Sequence, residues 1–129
     1  MDAATGMLLL ALALFALKHF VADFVLQTAW MVKGKAVYGH PGGFAHAGIH
    51  MLGSLPVLAL MGIAPLGIML LLLAEGLAHY HIDWSKEALL RHFATNMHGR
   101  PFWNLVGADQ LLHHLTYLGM IVVALHLDA

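Results

Sequence analysis

Four pairs of metal-ligating residues recur one helical turn apart in this chain: His19 and Asp23, His46 and His50, His79 and Asp83, Asp109 and His113. A spacing of i, i+4 places both members of a pair on one helix face. Imidazoles and carboxylates turned inward from several helices are how helical bundles build one- and two-metal sites. Imidazole suits zinc and its neighbours, and carboxylates shift the choice toward harder ions or a dinuclear centre. These candidates outnumber the four ligands of a tetrahedral ion, so either two metals bind or some side chains orient the others. Glu75, one turn before His79, is a further ligand or the base that activates a bound water; Lys86, just past Asp83, suits contact with an anion. The expected cofactor is a divalent metal, zinc first, with a dinuclear centre left open.

The elements that carry these pairs are apolar. Of 129 residues, 60% are hydrophobic and 10% charged, against about 25% charged in soluble domains. The expectation is an all-α integral membrane protein, a single four-helix transmembrane domain over residues 1–129. The spans read as 7–32, 44–60, 66–84 and 105–125. The first could pass for a signal sequence, but Asp2 is the sole charge before Lys18, so it reads as a retained helix. Lys33 and Lys35, with Pro41, Gly42 and Gly43, break the chain into a first loop; Gly62 and Pro65 mark a second turn, and Pro56 a kink. Between the third and fourth spans, Leu89, Leu90, Phe93 and Met97 oppose Lys86, Glu87 and Arg91, as in a short interfacial helix within Ser85–Asn104, ended by Gly99 and Pro101. Cysteine is absent, which excludes disulfides and thiolate sites, and the near-zero net charge gives no reason to expect nucleic acid.

Five of the six basic residues fall in or beside the first and third loops. The positive-inside rule then puts those loops in the cytoplasm and both termini outside, in a bacterial inner membrane. Counting inward at about 1.5 Å per residue, Asp23 lies roughly 15 Å deep, His50 10 Å, His79 9 Å and His113 13 Å, with Asp83 at the boundary. The pairs therefore share one cytoplasmic half. The outer half is almost purely Leu, Ala, Val, Ile and Met. An ionisable group near the centre of a bilayer costs about 2.5–3.5 kcal/mol on insertion scales, so stripes of them demand a metal or partner charges.

The remaining polar residues have blander expectations. His81 and His114 point off the stripes, and His40, His92, His98 and His126 fall in loops or at a terminus, solvated. Lys18 pairs with a carboxylate or snorkels. Gln27 and Gln110 support the ligands, and Trp30, Trp84 and Trp103 form an interfacial belt.

The order His19-x-x-x-Asp23-Phe-x-x-Gln27, His46-x-x-x-His50, His79-x-x-x-Asp83-x-x-Lys86 and Asp109-Gln110-x-x-His113 resembles a family of small bacterial inner-membrane proteins, domain of unknown function 3307. More distantly it is similar to the membrane-bound metal-dependent hydrolases, which carry His and Asp on transmembrane helices. The first resemblance implies no reaction, so function rests on the residues.

A metal-dependent hydrolase is the leading reading, since spare ligand positions would acidify a bound water and polarise a phosphoryl or acyl oxygen. Lys33, Lys35, Lys86, Arg91 and Arg100 around the opening suit a phosphate-bearing or lipid-like anionic amphiphile from the membrane. The alternatives are a metal or proton carrier, for which an oligomer could supply more spans, a cofactor-binding accessory subunit, and a charge-paired structural core.

Overall fold

The computed structural model describes residues 2–93 and 97–127, and those residues form five α-helices. They are α1 (Ala3–Phe20), prolonged by a π-helical turn over Val21–Val25, then the short α2 (Ala29–Lys35), α3 (Pro41–Leu60), α4 (Pro65–Phe93) and α5 (Arg100–Leu127).

Helix starts and stops follow short polar signals. The Asp2 carboxylate accepts from the Thr5 backbone N–H at 2.7 Å, capping α1, and that bond holds the Asp2 carboxyl below its usual range. Thr28 caps α2 through Met31 N–H at 3.4 Å. His40, expected as a solvated loop residue, instead caps α3: its Nδ1 accepts from Gly42 N–H at 2.9 Å. α3 ends where Gly62 takes a φ of 82°. There Ile63 N–H bonds Leu58 C=O at 3.3 Å and Gly62 N–H bonds Ala59 C=O at 3.0 Å, a Schellman closure whose Leu58 and Ile63 both enter the core.

α3 begins at Pro41 and α5 runs Arg100–Leu127, a few residues beyond the expected 44–60 and 105–125, and three further features differ more. The first span does not run to residue 32: the π turn, closed by Leu26 N–H on Val21 C=O at 2.9 Å, ends it, and Gln27 lies in the linker to α2. No separate interfacial helix begins at Ser85, because α4 continues through Trp84 to Phe93. Nothing after Gly76 breaks it, although the sequence changes there from apolar to amphipathic. Its 29 residues span roughly 44 Å, longer than the ~30 Å hydrocarbon core. Ala94, Thr95 and Asn96 of the expected surface helix lie outside the described residues. Pro101, expected as a terminator, sits in the first turn of α5, where a missing N–H costs no helical hydrogen bond.

Helix α1 packs on α3 and α5, α3 on α4, and α4 on α5, closing a ring of four, with α2 laid against α3 and α4. Each of the four is long and apolar enough to cross a membrane. Leucines such as Leu17, Leu52, Leu66 and Leu77 face outward, as the lipid-exposed residues of a multi-pass membrane protein would.

The interior has two storeys. At one end Ala11, Phe15, Val57, Leu58, Leu71, Met120, Ile121 and Ala124 pack into a dry core. One to two turns along the same helix faces, the buried side chains become His, Asp, Glu and Lys. The two glycines that bring α2 against α3 are the tightest joint: a Cβ on Gly34 would lie 2.5 Å from His40 Nδ1 and 2.8 Å from the Gly42 Cα. Gly34→Ala should therefore destabilise by about 1–3 kcal/mol, seen as a lower melting temperature in detergent. Gly107→Ala, where a methyl meets open space, should not.

Candidate metal centre

The polar storey is built by side chains one turn apart on each helix: His19 and Asp23 from α1 and its π turn, His46, His50 and Ser54 from α3, Glu75, His79 and Asp83 from α4, and Asp109, His113 and Tyr117 from α5. The four central imidazoles, those of His46, His50, His79 and His113, are at most 1% exposed. Their rings pack on one another, with centroids 3.7 Å apart for His50 and His79 and 4.1 Å for His79 and His113.

Asp23 Oδ1 lies 2.9 Å from His50 Nε2 and 3.1 Å from His46 Nε2. Asp83 Oδ2 lies 3.3 Å from His79 Nε2 and 3.4 Å from His46 Nε2, and Asp83 Oδ1 lies 3.5 Å from His113 Nε2. Despite this closeness, both nitrogens of His46 and of His79, and Nε2 of His113, have no aligned hydrogen-bond partner. Buried acceptors and donors left in this state cost about 1–3 kcal/mol each, so the cluster is incomplete as protein alone.

The hydrogen-bond network assigns ring tautomers around it. Gln110 donates from its amide to Asp109 Oδ2 at 3.0 Å, which turns its Oε1 toward His19 Nε2, also at 3.0 Å. His19 Nε2–H is then the donor, and its Nδ1 accepts the Tyr117 hydroxyl proton at 2.9 Å. His50 Nδ1 lies 3.2 Å from the Tyr117 hydroxyl and 3.4 Å from the Lys18 ammonium, which can donate to it and also bonds Glu75 and the His50 carbonyl. His50 Nε2–H then donates to Asp23 Oδ1 at 2.9 Å, so among the central imidazoles His50 is satisfied and His46, His79 and His113 carry the unpartnered nitrogens.

Charge adds to this. Asp23, Glu75, Asp83 and Asp109 face Lys18, which pairs with Glu75, and Lys35, whose Nζ is 3.0 Å from Asp83 Oδ2. With the carboxylates ionised and the imidazoles neutral, the four carboxylates and two ammoniums leave two negative charges, which one divalent cation or protons on two imidazoles would balance. Lys86 stands at the edge of the cluster, 3.1 Å from Glu87 and drawn also by Asp109 and Asp83.

Two groups of side chains could hold an ion: Asp23, His46, His50 and His79, and His79, Asp83 and His113. Within each group, one donor atom per residue lies within 4.8 Å of every other. Donors on a tetrahedral zinc, bound at 2.0–2.1 Å, are about 3.3 Å apart, so little movement is needed. The donor set, the burial and the orphaned nitrogens fit such an ion. Of the expected ligands, His19 and Asp109 fall outside both groups. His19 has both nitrogens hydrogen-bonded, and Asp109 stands 3.5 Å from His113 and anchors Gln110. Glu75 lies deeper, with Oε1 taken by Lys18 and Ser54 and Oε2 unpartnered. His81, His114 and His126 face outward, each bonding the carbonyl four residues back. Gln27 bonds the Asp23 carbonyl, not a ligand ring.

Sequence reasoning missed three members. Ser54 and Tyr117 each extend a stripe by one more turn, from His50 and His113, and would have been found by following hydroxyls as well as imidazoles. Lys35, assigned to the rim, turns inward and is 5% exposed; no local pattern announces that.

No curated protein and no solved structure matches the chain. Residues 10–128, which include every side chain of the cluster, match the family described as "Protein of unknown function (DUF3307)", and the chain belongs to that family.

Proposed function

We propose that this protein is a membrane-embedded, metal-dependent hydrolase. Its His/Asp centre lies in the cytoplasmic half of the bundle, both termini are outside, and its substrate is phosphate-bearing or lipid-like. The observation that carries the reading is the set of buried imidazole nitrogens on His46, His79 and His113 that have no hydrogen-bond partner although the Asp23 and Asp83 carboxylates stand beside them. Asp23, His46, His50, His79, Asp83 and His113 would hold the ion, zinc first, with His79 reachable from both groups. A divalent cation there would supply Lewis acidity toward a phosphoryl or acyl oxygen and toward water. The chain's own contribution is to hold ligand tautomers through Tyr117, His19 and Gln110, and to exclude bulk water from the imidazoles. Glu75 keeps one free oxygen as a proton acceptor.

A tetrapyrrole fits this arrangement poorly, because imidazoles in mutual van der Waals contact leave no room for a macrocycle. A proton-handling role is the second reading: two imidazoliums would balance the same two charges. Elemental analysis of the detergent-purified protein separates the two, with one or two equivalents of divalent metal expected. Phosphodiester, phospholipid and acyl-ester substrates should then be cleaved in a chelator-sensitive way. Protein that is metal-free after purification and takes up no added zinc, manganese or nickel would leave the proton-handling role.

A further inference from the structure

The ring of helices carries several outer grooves, and one of them reaches the metal cluster. Between α4 and α5 lies a groove of about 230 Å³ whose wall includes Ser85, Lys86, Leu89, Leu105, Asp109 and Leu112. Its floor is Asp109, which is 4% exposed, has an unpartnered Oδ1, and stands 3.5 Å from His113. Two grooves along α3 and α4, lined among others by Leu73, contain no lysine, arginine or carboxylate. A groove on α1 and α3 contains Lys18, whose charge is already committed to Glu75. Lys86 is different: its partner Glu87 is a neighbour in sequence, and both side chains are partly exposed, the kind of ion pair worth little and readily exchanged.

We infer that this groove holds one anionic phospholipid drawn sideways from the bilayer. The phosphate rests on the Lys86 ammonium beside the Ser85 hydroxyl, and an acyl chain runs from there along Ile82 and Leu112. An apolar groove that holds an amine matches an amphiphile with an anionic head, whereas a free phosphate would gain nothing from the apolar walls. The Asp109 carboxylate repels the phosphate, which keeps the headgroup on the Lys86 side unless a cation occupies the cluster behind it. A lipid so placed presents its ester and phosphate groups to the side of the centre that Asp109 and His113 form. The inference rests on the hydrolase reading for its chemical meaning, yet lipid retention and metal content are separate measurements and fail separately.

The test is native mass spectrometry of the full chain from micelles containing equal phosphatidylglycerol and phosphatidylcholine, with metal determined on the same samples. Wild type should retain one phosphatidylglycerol in preference to phosphatidylcholine. Lys86→Gln should weaken that retention about 10-fold or more, the loss expected on removing a charged hydrogen-bond partner. Leu112→Trp should fill the trough and abolish retention, while Leu73→Trp, in the α3/α4 grooves, should leave it unchanged. Metal content should be the same in all four proteins. Equal retention of the two lipids by wild type, or undiminished phosphatidylglycerol on Lys86→Gln, would overturn the assignment; metal-free protein that still selects phosphatidylglycerol would overturn only the hydrolase reading.

Discussion

Replacing His79 with alanine should strip the protein of its metal. His79 is the one side chain common to both potential ligand groups, and its ring stacks between those of His50 and His113. Loss of an outer partner of a ligand costs about 10–100-fold in metal affinity, so loss of this ligand should exceed 100-fold. Asp109→Ala, which frees Gln110 and unsettles the His19 and Tyr117 bonds, should fall within the 10–100-fold range. His81→Ala, two residues away but turned outward to Leu77 and Tyr38, should leave occupancy intact. Elemental analysis and zinc titration of the folded variants in detergent measure all three. Full occupancy in His79→Ala would remove the centre as described.

The second large effect is expected from Lys18→Met. Its ammonium and the Glu75 carboxylate form an ion pair at the junction of the dry and polar storeys, with Ser54 as the other donor to that carboxylate at 2.8 Å. The Lys18 ammonium also lies 4.2 Å from the centre of the Tyr117 ring. Breaking a buried pair from one side strands a charge and costs about 3–5 kcal/mol. Against a total stability of about 5–15 kcal/mol, such a loss should lower the melting temperature sharply. The double variant Lys18→Met, Glu75→Gln removes both charges and should recover most of the deficit. A single variant as stable as wild type would show that the pair contributes no such coupling.

Much of the site was legible because helical membrane proteins write their interiors in a simple period. The pairs at i, i+4 on four segments, at matched depth below the same loops, could meet only in one storey of one bundle. That inference needed no more than helical period and rise per residue. Features that depend on a single turn or a single long side chain were not legible. The π turn shifts Gln27 out of the stripe, and no residue among Val21–Val25 signals it. Lys18 and Lys35 look alike as lipid-facing or loop lysines, yet both turn inward, because their partners Glu75 and Asp83 come from a helix far along the chain. The continuation of α4 past Trp84 was hidden for a different reason. Its sequence turns from apolar to amphipathic while the backbone runs on unbroken.

The stacked Phe15 and Tyr117 rings, 5.2 Å apart, mark where the dry storey closes over the charged one. In this conformation hydrocarbon closes that end of the cluster. An ion or proton that exchanges with the buried imidazoles must therefore come and go by the end where α2 lies or between the helices.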